Sequence, residues 1–334
     1  MDQMNGKPLM LAQESKIFVL CPSNYVTGGT EALHQLVSAL REMGRNASIV
    51  YEPEAESSTP QAFACYGVHV SNHIEDREEN LLVVPEIWTM KLQSYTRVQK
   101  AIWWLSVENY IHFDRSFDFS AAKNRSVFHF AQSKYAEEFL IGKGIGSVFR
   151  LSDYLNNTFF ESDGHATRLD NILYNPKKGF EYTRILINSC PELNWIPIEK
   201  MSAGEVSKLM RSSKVYIDFG SHPGKDRLPR EAAINGCCVI VGLRGAAKFE
   251  EDIPISSRYK FSTPSPFLFK VFQADRVLKT IGECLVDFEI RINDFKQYRS
   301  CIMNGKDEFQ REVRNIYEIE TMNHQRSEEQ VVKS

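Results

Sequence analysis

The stretch GKDRLPRE, residues 224–231, combines the side chains and backbone of an anion site. Pro229 suits the first turn of a helix, where its missing N–H is not needed, so we place the start of a helix at Pro229. The free N–H groups and the positive end of that helix would attract an anion. Lys225, Arg227 and Arg230 would add positive charge, and Glu231 could accept hydrogen bonds from ribose hydroxyls. The predicted ligand-binding residues of the whole loop, SHPGKDRLPRE at 221–231, are His222, Gly224, Lys225, Arg227 and Glu231.

A second loop, NPKKGF at 175–180, also joins an apolar strand to a helix. Lys177 and Lys178 stand where a diphosphate would meet the start of that helix. For each loop taken alone, a solvated polar turn is the competing interpretation. The presence of both loops in one half of the chain favours a nucleotide site.

A third turn, VTGGTEALHQL at 26–36, follows the first strand, and Gly28 and Gly29 there would permit close approach of a ligand. The turn is not GxGxxG, which disfavours a nicotinamide or flavin enzyme. The chain has no GxxxxGK[ST] either, which excludes P-loop chemistry. We find no well-placed DxD and no zinc-type cysteine spacing, so we expect no metal and no other cofactor.

In order and spacing, residues 16–290 resemble the GT-B glycosyltransferases that use nucleotide sugars. The resemblance rests on Gly-Gly-Thr-Glu after the first strand, on Lys-Gly at 178–179, and on Arg-Glu-Ala-Ala-x-x-Gly-Cys at 230–237. The most similar group is the retaining one that includes sucrose synthases and many bacterial polysaccharide transferases. It implies an α/β fold in which two Rossmann-like domains face each other across a cleft. A nucleoside diphosphate sugar would bind to the C-terminal domain, and a glycan or lipid-linked acceptor to the N-terminal domain.

The resemblance also assigns roles to single residues. Glu231 matches the second of two glutamates eight positions apart, which usually holds the ribose. The first glutamate, which usually contacts the donor sugar, would fall at Pro223, and His222 or Asp226 are the candidates to replace it. Lys178 matches the lysine that binds phosphate, and we place it among the catalytic residues. The arginine usually found a few residues earlier is absent, so Lys177, Lys225 or Arg227 would supply its charge.

Sugar transfer requires stabilisation of the departing diphosphate, which Lys178 and the helix near Pro229 would provide. The resemblance implies retention of configuration, with the leaving phosphate accepting the acceptor's proton. If a side chain assists, Glu108 after the strand AIWWL is the first candidate, and Glu86 in VVPEIW is the second. A loop acid or helix cap is the alternative role for both glutamates.

Strand-like and helix-like segments alternate along the chain, which predicts doubly wound parallel sheets. We expect an N-terminal acceptor domain at 1–158, with residues 154–169 as a linker, and a donor domain at 159–290. Helices and a frayed tail would follow at 291–334 and would pack back on the first domain. Helix 202–213 should begin at a capping box formed by Ser202 and Glu205.

The overall composition and charge indicate which partners and which cell compartment to expect. The 334 residues carry a formal net charge of −3 with both signs mixed along the chain, so nucleic-acid binding is not expected. Seven scattered cysteines and no recognisable signal peptide favour a reduced, cytoplasmic protein. Residues 91–105 mix Lys and Arg with Tyr and Trp and could contact anionic headgroups on the inner face of a membrane. Burial of Trp103 and Trp104 in a strand is the alternative.

The resemblance implies a glycosyltransferase of bacterial surface polysaccharide or lipopolysaccharide synthesis. Two alternatives stay open at this point. One is a catalytically silent relative that binds a nucleotide sugar or a partner transferase, which the missing acid at Pro223 favours. The other is a GT-B epimerase that hydrolyses or rearranges its donor.

Overall fold

A computed structural model describes residues 9, 11–53, 59–121, 124, 126–160 and 167–317. The chain forms two compact units. The first contains residues 1–153 and 307–334, and the second contains residues 154–306. The units therefore change at 153/154 and at 306/307, where the sequence suggested 158/159 and 290/291.

The first unit is built on a six-stranded parallel sheet in the order β2-β1-β3-β4-β5-β6. Its strands are β1 Lys16–Pro22, β2 Asn46–Glu52, β3 Leu81–Pro85, β4 Gln99–Trp104, β5 Phe128–Ala131 and β6 Phe149–Arg150. Its helices are α1 Gly28–Glu42, α2 Val107–Asn109, α3 Lys134–Gly142 and most of α11 Gly305–Tyr317. Short 3₁₀ segments at Gln61–Tyr66 and Glu86–Ser94 and a π turn at Tyr110–Asp114 lie between them.

The strands of this unit are apolar runs buried on both faces, as expected where helices cover a parallel sheet. Trp103 and Trp104 of β4 are completely buried, so they do not form an exposed membrane-facing surface. Helix α11 joins the unit because Glu312 accepts hydrogen bonds from the N–H (2.7 Å) and hydroxyl (2.6 Å) of Ser152. No helix of the described residues is long and apolar enough to span a bilayer.

The second unit has a five-stranded parallel sheet in the order β11-β10-β9-β7-β8. Its strands are β7 Leu169–Tyr174, β8 Asn194–Pro197, β9 Ser213–Asp218, β10 Cys238–Gly242 and β11 Lys260–Phe261. Its helices are α4 Phe180–Ser189, α5 Ala203–Arg211, α6 Arg227–Ile234, α7 Pro266–Phe272, α8 Ala274–Val286, α9 Phe288–Arg291 and α10 Lys296–Met303. The capping box predicted for α5 is present: Ser202 and Glu205 bond each other's backbone N–H groups.

Two local predictions need correction. Helix α6 begins at Arg227, so Pro229 is its third residue. The third N–H of a helix also has no intrahelical partner, and the proline therefore costs nothing there. The segment 154–169 is more than a linker, because Leu155 and Phe159 are buried and β7 begins at Leu169. Residues 161–166 and the tail after 317 lie outside the described residues.

Each sheet reverses its winding direction once. In the first unit the reversal falls between β1 and β3, and in the second it falls between β7 and β9. Open α/β sheets bind ligands at such points, beyond the carboxyl ends of the strands. The loops at 175–179 and 219–226 follow β7 and β9, so both lie at the reversal point of the second unit.

Candidate functional site

Three loops of the second unit meet with their backbones in contact. Gly179 has φ +65°, and a Cβ built on it would lie 2.3 Å from the carbonyl carbon and oxygen of Phe219. Gly245 has φ +49°, and its Cβ would lie 2.1 Å from the carbonyl oxygen of His222. The N–H of Ala246 donates to that same oxygen at 2.8 Å. Glycine is required where backbones approach this closely, and the loops after β7, β9 and β10 therefore form one connected surface.

Lys178 and Asp226 form an ion pair across this surface. The Lys178 Nζ lies 3.2 Å from Oδ1 and 3.4 Å from Oδ2 of Asp226. The lysine side chain is 39% exposed and the aspartate side chain 14% exposed. Lys178 precedes α4, and its backbone is fixed by Gly179, the residue that caps the helix. The lysine predicted to bind phosphate thus already has a carboxylate partner.

His222 lies completely buried between two carboxylates. Its Nδ1 is 3.3 Å from Oδ2 of Asp226, and its Nε2 is 3.3 Å from the carbonyl oxygen of Asp218. Burial lowers the pKa of His222, but the charges of Asp218 and Asp226 outweigh burial and raise it overall. Burial likewise raises the pKa of Asp226, and the charges of His222 and Lys178 reverse that shift and hold it below its usual range.

Asp218 anchors this cluster to the end of β9. Its carboxylate accepts hydrogen bonds from the Tyr216 hydroxyl and from the N–H of Gly220, both at 2.8 Å. A series of polar contacts thus runs from the sheet interior to the surface, through Tyr216, Asp218, His222, Asp226 and Lys178. Ligand atoms of Asp218, His222 and Asp226 also lie within 4.8 Å of one another, a spacing that a metal ion could use.

Helix α6 begins directly after Asp226. This residue is at the N-cap position, but its side chain makes no capping hydrogen bond to the helix. The Arg227 Nε donates to Glu231 Oε1 at 3.1 Å, one turn further along the helix. Glu231 is 6% exposed, so its carboxylate lies against the helix with a cation beside it. Arg230 donates to the carbonyl oxygens of Lys225 (2.7 Å) and Asp226 (3.3 Å), and this contact holds the loop in place.

The structure therefore groups Lys178, His222, Arg227 and Glu231 around one loop edge. Lys225 and the buried Gly224 belong to the same loop. Lys177 is exposed beside Lys178, and its N–H donates to Asn175 Oδ1 at 3.0 Å. The ribose, phosphate and sugar roles given to these residues stay predictions.

The remaining predicted residues belong to the first unit. Gly28 and Gly29 are the first two helical residues of α1 and do not form a separate turn before it. Thr27 caps the helix: its Oγ1 accepts from the N–H of Thr30 at 3.3 Å, and Thr30 Oγ1 accepts from the N–H of Thr27 at 2.9 Å. This helix start lies at the reversal point of the first sheet.

Glu86 and Glu108 follow neighbouring strands of that sheet. Glu86 is completely buried, and burial raises its pKa to about 8 although backbone N–H groups of Leu105 and Ser106 lower it. The Leu105 N–H donates to Glu86 Oε2 at 3.0 Å, which fixes the turn leading to Glu108. Glu108 is half-buried, and its Oε1 accepts from the Tyr135 hydroxyl at 2.9 Å. Glu86 is therefore the more deeply buried of the two glutamates.

The pairing of Asp226 with Lys178 and the bridging position of His222 were not predicted from the sequence. The signal that could have suggested them is the spacing of Asp218, His222 and Asp226, four residues apart each time, across the end of an apolar strand. That spacing has no fixed geometry in a loop, so the contact depends on the positive φ of His222, +46°.

The chain matches no protein-family model and no curated protein. Its structure is similar to several solved structures. For Anabaena HepE, crystallised with UDP and glucose, the TM-score is 0.63 at 14% identity, over 95% of this chain and 99% of that one. For sucrose-phosphate synthase from Thermosynechococcus elongatus it is 0.59 at 11% identity, over 96% and 100%. For T4 phage BGT, crystallised with its UDP-glucose substrate, it is 0.51 at 12% identity, over 90% and 99%.

This likeness covers nearly the full length of each chain, and it shows that the protein has the GT-B fold with its C-terminal helices. The predicted fold class is therefore confirmed.

Proposed function

We propose that the protein is a glycosyltransferase that uses a nucleoside diphosphate sugar. The observation that carries the proposal is the position of Lys178 and the start of α6 together at the reversal point of the second sheet. Cations and free helix N–H groups at such a point suit a diphosphate. The similarity to proteins crystallised with UDP and UDP-glucose supports the same ligand class.

In this mechanism the bond between the anomeric carbon and the diphosphate oxygen breaks, and a bond to the acceptor oxygen forms. Negative charge collects on the leaving diphosphate, where Lys178 and the N–H groups at Arg227 and Leu228 would stabilise it. The acceptor proton would pass to the leaving phosphate, with retention of configuration. We propose that no metal takes part, because Lys178 and the helix start provide the positive charge.

We further propose that the acceptor is a glycan or lipid-linked glycan of a bacterial surface polysaccharide or lipopolysaccharide, handled in the cytoplasm by the first unit. Glu108 would orient the acceptor hydroxyl, and the buried Glu86 would position the turn that carries Glu108. The half-buried carboxylate of Glu108 and its tyrosine partner support this assignment.

Lys178→Ala tests the donor site. We expect UDP, GDP or ADP to bind the parent, and the Lys178→Ala variant to lose at least tenfold in affinity and most turnover while it remains folded. Lys208→Ala, which removes an exposed lysine of α5, is the matched control. Unchanged affinity and turnover in Lys178→Ala would remove that residue from the site. Stabilisation of the parent by no nucleotide at all would refute the proposal.

Peripheral contact with an anionic membrane is proposed through α7. Its outward arc, about 140° wide at 3.6 residues per turn, contains only large apolar side chains. These are Phe267, Leu268, Val271 and Phe272, which are 73%, 40%, 55% and 63% exposed. Over residues 270–279, exposed Lys270, Arg276 and Lys279 outnumber the exposed Asp275, which favours anionic lipid over a neutral surface.

Vesicle sedimentation tests this contact. We expect the protein to bind vesicles that contain phosphatidylglycerol and not pure phosphatidylcholine, and Phe267→Ser with Phe272→Ser to abolish binding. Val286→Ser, which changes another exposed apolar residue (85% exposed), is the control. Absence of binding to anionic vesicles, or dimerisation through α7 in solution, would argue against a membrane role.

A second candidate function is binding of a nucleotide sugar without turnover. Pro223 stands where the resemblance places the acid that contacts the donor sugar, and a proline offers no side-chain ligand. Binding of nucleotide sugars with neither transfer nor donor hydrolysis, across a panel of acceptors, would favour this alternative.

A further inference from the structure

The ion pair between Lys178 and Asp226 has a consequence for any anionic ligand. The Lys178 ammonium lies 3.2 Å from the carboxylate. A phosphate that binds this lysine must therefore share the ammonium with Asp226 or displace the carboxylate from it.

Asp226 has a second partner, the His222 ring, that can hold it after such a displacement. His222 Nδ1 lies 3.3 Å from Oδ2, the other oxygen from the one nearest Lys178. His222 is fixed in turn by Asp218, whose own carboxylate is held by Tyr216 and by the N–H of Gly220. The carboxylate can therefore release Lys178 without becoming an unpaired buried charge, which would be costly.

We propose that Asp226 is an intramolecular competitor of the diphosphate for Lys178, held in place by His222. It weakens the binding of the nucleoside diphosphate and thereby favours release of this product after transfer. The inference rests on the proposed donor site. It also makes Asp226 a positioning residue that acts through Lys178, with no contact to the sugar required.

The test is a double-mutant cycle on nucleotide affinity. Calorimetric titration with UDP would compare the parent, Asp226→Asn, Lys178→Ala and the double variant. We expect Asp226→Asn to bind UDP about tenfold more tightly than the parent, and the gain to vanish when Lys178 is alanine. Asp275→Asn, which neutralises an exposed acid on α8, should leave the affinity unchanged.

Stopped-flow measurement of UDP dissociation adds an independent readout, since the gain should appear as slower release. The expected result does not depend on an intact catalytic reaction, and a melting curve of each variant checks that it is folded. If Asp226→Asn reduces stability, Asp226→Ser supplies the second variant without the charge.

Several outcomes would overturn the inference. Equal or weaker UDP binding by Asp226→Asn would do so, as would an equal gain in the Lys178→Ala background. Tightening of UDP binding by Mn²⁺ in the parent but not in Asp226→Asn would show that the carboxylates hold a metal instead. If the parent binds neither nucleoside diphosphates nor pyrophosphate, the proposed function fails along with the inference. If the parent binds and only the cycle fails, the proposed function survives.

Discussion

Gly179→Ala tests whether the loops after β7 and β9 really meet. The residue has φ +65°, a conformation that costs an L-residue about 1–2 kcal/mol. The added Cβ would also lie 2.3 Å from the backbone of Phe219, where ordinary contact requires more than 3.4 Å. The clash is with backbone at the end of a buried strand, so the loops must separate by about 1 Å or more.

Displacing packed backbone costs about 1–3 kcal/mol, in addition to the cost of the left-handed conformation. The variant should therefore lose about 2–5 kcal/mol of unfolding free energy. Gly144→Ala separates the two effects, because Gly144 has φ +83° and a Cβ placed on it would meet nothing within 4 Å. That control should lose only about 1–2 kcal/mol, less a small gain from restricting the unfolded chain.

Scanning calorimetry and UDP titration would measure both consequences. At about 2–4 °C per kcal/mol for a unit of this size, the transition of the second unit should fall clearly further in Gly179→Ala than that of the first unit falls in Gly144→Ala. UDP affinity should drop as well, because Lys178 moves with its neighbour. If Gly179→Ala melts no lower than the control and binds UDP like the parent, the described loop contact is wrong.

Three further predictions concern other buried or half-buried polar groups. Glu231→Ala should weaken UDP binding about tenfold, equivalent to about 1.4 kcal/mol, and an unchanged dissociation constant would remove Glu231 from the ribose site. Glu86→Gln should become more stable than the parent above pH 8. Below about pH 4.5 the Glu86 carboxyl is protonated in both the folded and the unfolded state. Between pH 4.5 and about 8 it is protonated only in the folded state. Stability of the parent therefore falls as pH rises through that window, and urea titrations at pH 6 and 8.5 would detect it. Arg168→Met should lower the free energy of unfolding in urea by about 2–4 kcal/mol. The Arg168 guanidinium donates hydrogen bonds to the carbonyl oxygens of Met210, Ser213 and Asn235, at 3.2, 2.6 and 2.7 Å. A loss below about 1 kcal/mol would show that water replaces the guanidinium as the donor to these oxygens.

The sheet architecture could be predicted because buried parallel strands are continuous apolar runs. Strands β1 and β10 are the apolar runs KIFVLCP and CVIVG, and each strand begins and ends within a residue or two of the ends of its run. The start of α5 was predicted because a specific cap is present there, formed by Ser202 and Glu205. The start of α6 was misplaced because Pro229 is tolerated at any of the first helical positions and so does not mark one of them.

The candidate site could be predicted as a set of loops but not as a set of contacts. Lys178 and the 222–231 loop were found because each follows an apolar strand, and the carboxyl ends of parallel strands share one edge. Which side chains then pair depends on loop backbone angles and on glycine-permitted backbone approaches, as at Gly179 and Gly245. Such contacts join residues far apart in sequence, and no local pattern encodes them.

The loop after β9 carries two residues, Pro223 and Asp226, that bear on how tightly a donor would be held. An acid is missing at Pro223, where the resemblance places a contact with the donor sugar, and Asp226 stands three residues later with its carboxylate on Lys178. The two residues would differ in their effect on the proposed donor site. Pro223 would offer no ligand for the sugar hydroxyls, whereas Asp226 would place negative charge next to the proposed diphosphate position and lower affinity there. An enzyme with both features would hold its donor less tightly at both ends, and strong binding would have to come from the ribose and base. The affinity of UDP relative to inorganic pyrophosphate should therefore be unusually high, and equal binding of the two would contradict this argument.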